Sequence, residues 1–134
     1  MGDAAMSDPF DTIEAFYERY GEAFNTGDLV AIEAMFDYPW LLSSAAGVRQ
    51  IEADADPSAF YATLLASLRQ RGWARSTVES FAKFRMGVDG ALIAVDFARL
   101  RDDGSVLETG RAGYFLRDRP DGWKIAAIVD GLGG

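Results

Sequence analysis

The chain has 134 residues, 49% of them hydrophobic, and a formal net charge of -8 with no histidine and no cysteine. That length suits one domain with its own core, and the acidic balance disfavours phosphate backbones and anionic membranes as partners. The two missing residue types exclude disulfides, thiolate nucleophiles, sulfur-held metals and imidazole acid–base chemistry, leaving carboxylates, tyrosine, lysine and water to move protons.

The opening MGDAAMSDPF is small and acidic, without a basic-then-apolar signal segment, and residues 1–7 read as a loose tail. No run approaches the roughly 20 apolar residues of a membrane span, so the expected compartment is the cytoplasm. Asp8-Pro9 is a helix start, a capping carboxylate followed by proline at the first helical position. It predicts a helix over 9–24, with Ile13, Phe16, Tyr17, Tyr20 and Phe24 on one face. Asn25-Thr26-Gly27 ends it, and Asp28 caps a second helix over 29–36 whose stripe is Leu29, Ile32, Met35 and Phe36. Asp37-Tyr38-Pro39 ends that helix, because the residue before proline avoids the helical region. A short strand begins at Trp40-Leu41-Leu42, and Ala45-Ala46-Gly47 turns it into another over 48–51.

Asp56-Pro57 repeats the start signal and predicts a third helix over 57–70, with Tyr61, Leu64, Leu65 and Leu68 inward. The Glu52-x-Asp54-x-Asp56 carboxylates lack the glycine and terminal Glu of a calcium loop, so no metal is expected. From Trp73 the period becomes strand-like. Four strands are expected over 77–86, 91–101, 106–117 and 123–129, broken at Asp89-Gly90, Asp102-Asp103-Gly104-Ser105 and Pro120-Asp121-Gly122. The expectation is a single α+β domain over 8–130: three N-terminal helices packed on a strongly curved antiparallel sheet, with 131–134 a flexible end.

These elements, with Tyr20, Phe24-Asn25-x-Gly27-Asp28-Leu29, Ile32, Phe36, Phe60-Tyr61 and Asp121-Gly122-Trp123-Lys124-Ile125, resemble the nuclear transport factor 2-like superfamily. That superfamily includes ketosteroid isomerase and the SnoaL-like polyketide cyclases, and the likeness runs from about Asp8 to Asp130. It implies the cone-shaped, cystatin-like architecture of that group and leaves chemistry open, because the fold hosts isomerases, cyclases, hydrolases, dehydratases and binding modules. The isomerase uses a tyrosine, a protonated aspartic acid and an aspartate base. Tyr20 falls on the tyrosine, the base position falls on Ser44, and the late-strand acid falls on Ala112 or Gly113. Two of three working groups are missing, so the resemblance does not extend to that mechanism.

The resemblance puts Tyr20 in the cone between helices and sheet, where its phenol serves either a ligand or core packing. Asp130 and Asp96 are the remaining candidate carboxylates for proton transfer, against readings as a solvated strand end and an arginine partner. Arg99 and Arg111 lie on adjacent strands that are apolar on both faces, so period alone does not say which way either points. Trp40, Ser44, Phe60, Tyr61, Phe97 and Phe115, with Tyr20 and the two arginines, complete the expected ligand-binding set. They suit a small hydrophobic molecule with no cofactor. Relatives pair through the outer sheet face, and a stripe of Leu92, Ala94, Ala98 and Leu100 is compatible with a homodimer. Ligand binding without turnover is the first functional expectation. A cofactor-independent isomerase, cyclase or dehydratase using Tyr20 is the second, and a protein-interaction module the third.

Overall fold

The computed structural model describes residues 8–53 and 59–131. Asp8 accepts from the Phe10 amide at 3.0 Å and opens a 3-10 turn, Pro9–Thr12, that feeds helix α1, Ile13–Thr26. Trp123 fixes that turn to the sheet, its indole N–H donating to the Pro9 carbonyl at 2.9 Å. α1 buries Ile13, Phe16, Tyr17, Tyr20, Ala23 and Phe24, the stripe its spacing predicts. It closes at Gly27, with φ 70°, whose amide reaches back to the carbonyls of Ala23 and Phe24. Only glycine takes that left-handed conformation without strain. Asn25 then bonds both ways to the Ser76 backbone, at 3.0 and 2.8 Å, tying the end of α1 to the sheet.

α2, Leu29–Glu33, starts at Asp28, whose carboxylate accepts from the Ala31 amide at 3.1 Å. It is shorter than the 29–36 helix that the apolar stripe suggests. Phe36 leaves it for a strand, pairing with Ile125, and the Met35 carbonyl accepts from the Ile125 amide at 2.8 Å. Long-range pairing has overridden a local helical period. Strand β1 therefore runs Phe36–Ser44, starting before Trp40, and turns into β2, Gly47–Ile51. α3, Ala59–Gln70, buries Tyr61, Leu65 and Leu68, while the start expected at Asp56-Pro57 lies outside the described residues. The helices are thus not an N-terminal trio: one is long, one is a short turn and a half, and the third follows the first hairpin.

The meander is β3, Trp73–Met86; β4, Gly90–Arg101; β5, Val106–Arg119; and β6, Gly122–Asp130. The six-stranded sheet has the order β2-β1-β6-β5-β4-β3. β1 lies parallel to β6, so the sheet is mixed, correcting the all-antiparallel expectation. Parallel neighbours need a long crossover, and α3 with the meander supplies it. Irregularities in β3 and along the β4–β5 and β5–β6 ladders bend the sheet around the helices. In the β3–β4 turn the left-handed residue is Gly87, φ 73°, not Gly90. Gly90 is a buried strand residue where a Cβ would lie 2.6 Å from the Met86 carbonyl oxygen.

The inner sheet face brings Ile93, Val95, Ala112, Tyr114, Leu116, Ile125 and Ile128 into one core with α1 and α3. Each large aliphatic side chain buried there contributes about 1.5–3 kcal/mol. Among the described residues no helix is long and apolar enough to cross a membrane.

Candidate functional site

The core is incomplete between α1, α3 and the inner face of β4, β5 and β6. A cavity of about 100 Å³ opens there, lined by Tyr17, Tyr20, Phe24, Phe60, Tyr61, Phe97, Arg99, Tyr114 and Asp130 among others. A second, of about 340 Å³, shares Leu42, Phe60, Leu64, Arg99 and Asp130 with it and adds Ser44 and Arg49. The shared walls make the two an inner and an outer chamber of one site.

Four phenols fill the inner end. The Tyr20 and Tyr61 hydroxyls share a hydrogen bond of 2.6 Å, and those of Tyr17 and Tyr114 share one of 3.1 Å. Tyr20 comes from α1, Tyr61 from α3 and Tyr114 from β5, so three elements must assemble before the cluster exists. The rings pack edge to face, Tyr20 on Tyr114 at 5.7 Å and on Tyr61 at 6.2 Å between centroids. Burial pushes the Tyr20, Tyr61 and Tyr114 phenols well above the ordinary tyrosine range, and pushes Tyr17 up to about 12. The cluster is therefore neutral at physiological pH, a set of hydroxyls whose hydrogen bonds, among the described residues, run only to one another. It can donate to a ligand oxygen, but it cannot act as a base.

Arg99 and Arg111 point to opposite faces. Register sets Phe97 against Gly110 and Arg99 against Glu108 on the inner side, with Asp96 against Arg111 on the outer. Arg99 is 14% exposed on its side chain and donates through Nη1 to Glu108 at 3.1 Å, while Arg71 holds the other oxygen of the same carboxylate. Its guanidinium lies 4.7 Å from the Phe97 ring centroid. Arg111, half exposed, grips Asp96 through Nε at 2.5 Å and Nη2 at 3.0 Å. Asp96 also accepts from Ser80, and these bonds, Arg111's first, lower its pKa to about 2. An aspartate so held, on the face away from the cavity, is not a proton-transfer group for this site.

Three further expectations are corrected. Trp40 lines neither chamber; it is 1% exposed in the core, against Phe36 and Phe60. Phe115 lies on the outer face, because Tyr114 and Leu116 on either side of it turn inward. Arg111 leaves the ligand set with them. Ser44 reaches only the outer chamber. Tyr20, Phe60, Tyr61, Phe97, Arg99 and Asp130 all lie on the cavity wall. Asp130 stands directly across the β5–β6 ladder from Ala112, and is exposed at the mouth. The sequence pattern does not single out Tyr17 and Tyr114 as site residues. Tyr17 was legible only as a member of the α1 stripe, and Tyr114 lay two positions from Ala112 in a strand apolar on both faces.

Residues 8–131 match the family profile described as NTF2-like protein (DUF6841). No curated protein sequence matches the chain. Among solved structures, an NTF2-like protein with a cystatin-like fold from Novosphingobium aromaticivorans aligns at TM-score 0.71 and 16% identity, over 90% of this chain and 79% of that one. A protein from Streptomyces avermitilis, provisionally named a dehydratase of the NTF2-like family, aligns at 0.69 and 16%, over 90% and 93%. Another from Novosphingobium aromaticivorans, provisionally named an aromatic ring hydroxylase, aligns at 0.67 and 19%, over 92% and 87%. At these identities the likeness is one of fold.

Proposed function

Because the chain belongs to the NTF2-like family DUF6841, whose fold hosts many chemistries, we propose that it is a small-molecule-binding protein whose ligand enters between α1, α3 and the inner sheet face. The observation that carries this is the phenol cluster at the closed end of an apolar cavity. Rings and methyl groups would receive a flat apolar molecule, and the Tyr20–Tyr61 pair would donate to an oxygen on it. A thermal-shift titration with 2-naphthol and 1-tetralone tests it. At a ligand excess of about 100-fold over Kd the native state gains about 2.7 kcal/mol, which moves the melting temperature by roughly 8 °C in a domain this size. The shift should shrink in Tyr20→Phe. Equal shifts in both proteins would make Tyr20 a packing residue, and no shift with any neutral or acidic ring compound would end the binding reading.

A second reading has its own observation. Asp130 lines the same cavity, and its charge is felt at the Tyr61 phenol. A carboxylate and a phenol in one cavity are the groups a cofactor-independent isomerase, cyclase or dehydratase would use. Among the described residues Asp130 makes no hydrogen bond to any of the phenols, which favours binding over turnover. Any compound that shifts the melting temperature should then be followed for conversion, and conversion surviving in Asp130→Asn would remove that aspartate from the reading.

We also infer that the chain pairs with a second copy through its outer sheet face. The registers align Leu41, Ala127, Phe115, Leu92 and Phe84 in one apolar row across five strands. Leu41, Leu92 and Phe84 are 46%, 38% and 55% exposed. Ala98 and Leu100, expected in such a stripe, are already buried within the chain. Such a row, flanked by the Asp96–Arg111 pair, can meet its own two-fold copy. Sedimentation should give twice the chain mass, falling to the monomer in Leu92→Glu and Phe84→Glu. An unchanged mass in both variants would discard the interface.

A further inference from the structure

We propose that the molecule bound in the cavity is an acid, an apolar ring carrying a carboxylate, and that Arg99 is the residue that holds the carboxylate. This rests on the reading of the cavity as a small-molecule site and adds the ligand's charge to it. The two chambers differ in character. The inner one is phenols and rings, while the outer one is bounded by Ser44, Arg49, Arg99 and Asp130. In a chain with 21 acidic and 13 basic side chains, the described walls carry two guanidiniums against one carboxylate. That local reversal of sign favours an anion.

Arg99 is built for it. Glu108 fixes Nη1, and Phe97 and Phe24 flank the guanidinium at 4.7 and 5.9 Å, so the plane is set before any ligand arrives. Among the described residues Arg99 makes no other hydrogen bond, and its buried Nε has no partner. Nε and Nη2 form the edge that grips a carboxylate side-on, as Arg111 grips Asp96 elsewhere in this chain. In Arg99 that edge is left over. Nε is covered, so seating an oxygen on it requires the side chains over it to change rotamer, a common adjustment on binding. Arg49, stacked 5.5 Å from the Phe60 centroid, adds a second positive charge at the outer chamber.

The test is calorimetric titration near neutral pH with 2-naphthoate and its uncharged isostere 2-naphthamide. The expected result is that wild type binds the acid at least about tenfold more tightly than the amide, a charge-assisted bidentate pair against a neutral contact. In Arg99→Gln the acid should fall to the amide's affinity while the amide is unchanged. Arg99→Lys, which keeps the charge and loses the planar fork, should fall between. Equal affinities in wild type would overturn the acid reading and leave the cavity reading standing. A preference that survives Arg99→Gln would overturn Arg99 as the holder. Failure of both ligands to bind would overturn both readings. The wild-type comparison decides the ligand's charge even if a variant does not fold.

Discussion

Raising the pH above about 10 should unfold this protein in a single steep transition, with the tyrosinate absorbance and the loss of far-ultraviolet dichroism rising together. The four core phenols all ionise at higher pH in the folded chain than in the unfolded one, because burial disfavours the phenolate: Tyr17 is pushed up to about 12, and Tyr20, Tyr61 and Tyr114 are raised well above the ordinary range. A raised folded pKa means that the native state holds protons the unfolded chain gives up. The stability this represents is fully present below the unfolded tyrosine pKa of about 10 and is lost as pH climbs toward the folded values. Each phenol costs roughly 1.4 kcal/mol by pH 11, so four cost on the order of 5 kcal/mol, comparable to the whole stability of an ordinary domain. Tyr20→Phe should flatten the slope by about a fifth, since burial raises Tyr38 to about 12 as well and the variant removes one of five titrating phenols. A tyrosinate band that develops near pH 10 while the dichroism stays native would mean that the cluster is open to solvent, and the closed end of the cavity would go with it.

That cluster also shows where the sequence stopped being legible. Local signals worked where their cause was local. Asp28 caps α2 and Gly27 ends α1 as expected, and the strands of the meander follow one another with short turns. Asp8 caps as well, but what it opens is a 3-10 turn, and the α-helix expected from Pro9 begins only at Ile13. They failed where a distant partner decided. Phe36 has a helical period behind it but is claimed by Ile125. Gly90 looks like the turn residue of Asp89-Gly90, yet the turn is made at Gly87, and Gly90 is the glycine that lets a strand pass under Met86 and Phe115. Arg99 and Arg111 could not be oriented because β4 and β5 are apolar on both faces; once Asp96 is set opposite Arg111, alternation sends Arg99 the other way. The site suffers most from this limit. Its four phenols come from α1, α3 and β5, and nothing in the neighbourhood of Tyr17 or Tyr114 announces that they meet.

Trp40→Ala should be the most damaging single substitution at the cavity, although Trp40 never touches it. The indole is 1% exposed, 4.4 Å from the Phe36 ring centroid and edge-on to Phe60 at 5.9 Å. Phe60 is in turn edge-on to Tyr61 at 5.0 Å, and Tyr61 shares its hydroxyl bond with Tyr20. Truncation leaves a void behind the cavity wall, costs about 3–5 kcal/mol of stability, and frees Phe60 to move. Urea unfolding should register the first effect, and titration with 2-naphthol the second, as a loss of at least about tenfold in affinity. Trp40→Phe separates size from polarity. Among the described residues the buried Trp40 Nε1 has no hydrogen-bond partner, so its removal relieves an unmet donor worth about 1–3 kcal/mol against the lost volume. The phenylalanine variant should therefore lose less than half the stability that the alanine variant loses and keep most of its affinity for 2-naphthol. If the alanine variant binds 2-naphthol as wild type does, Phe60 is held by something other than Trp40, and the wall does not depend on the core behind it.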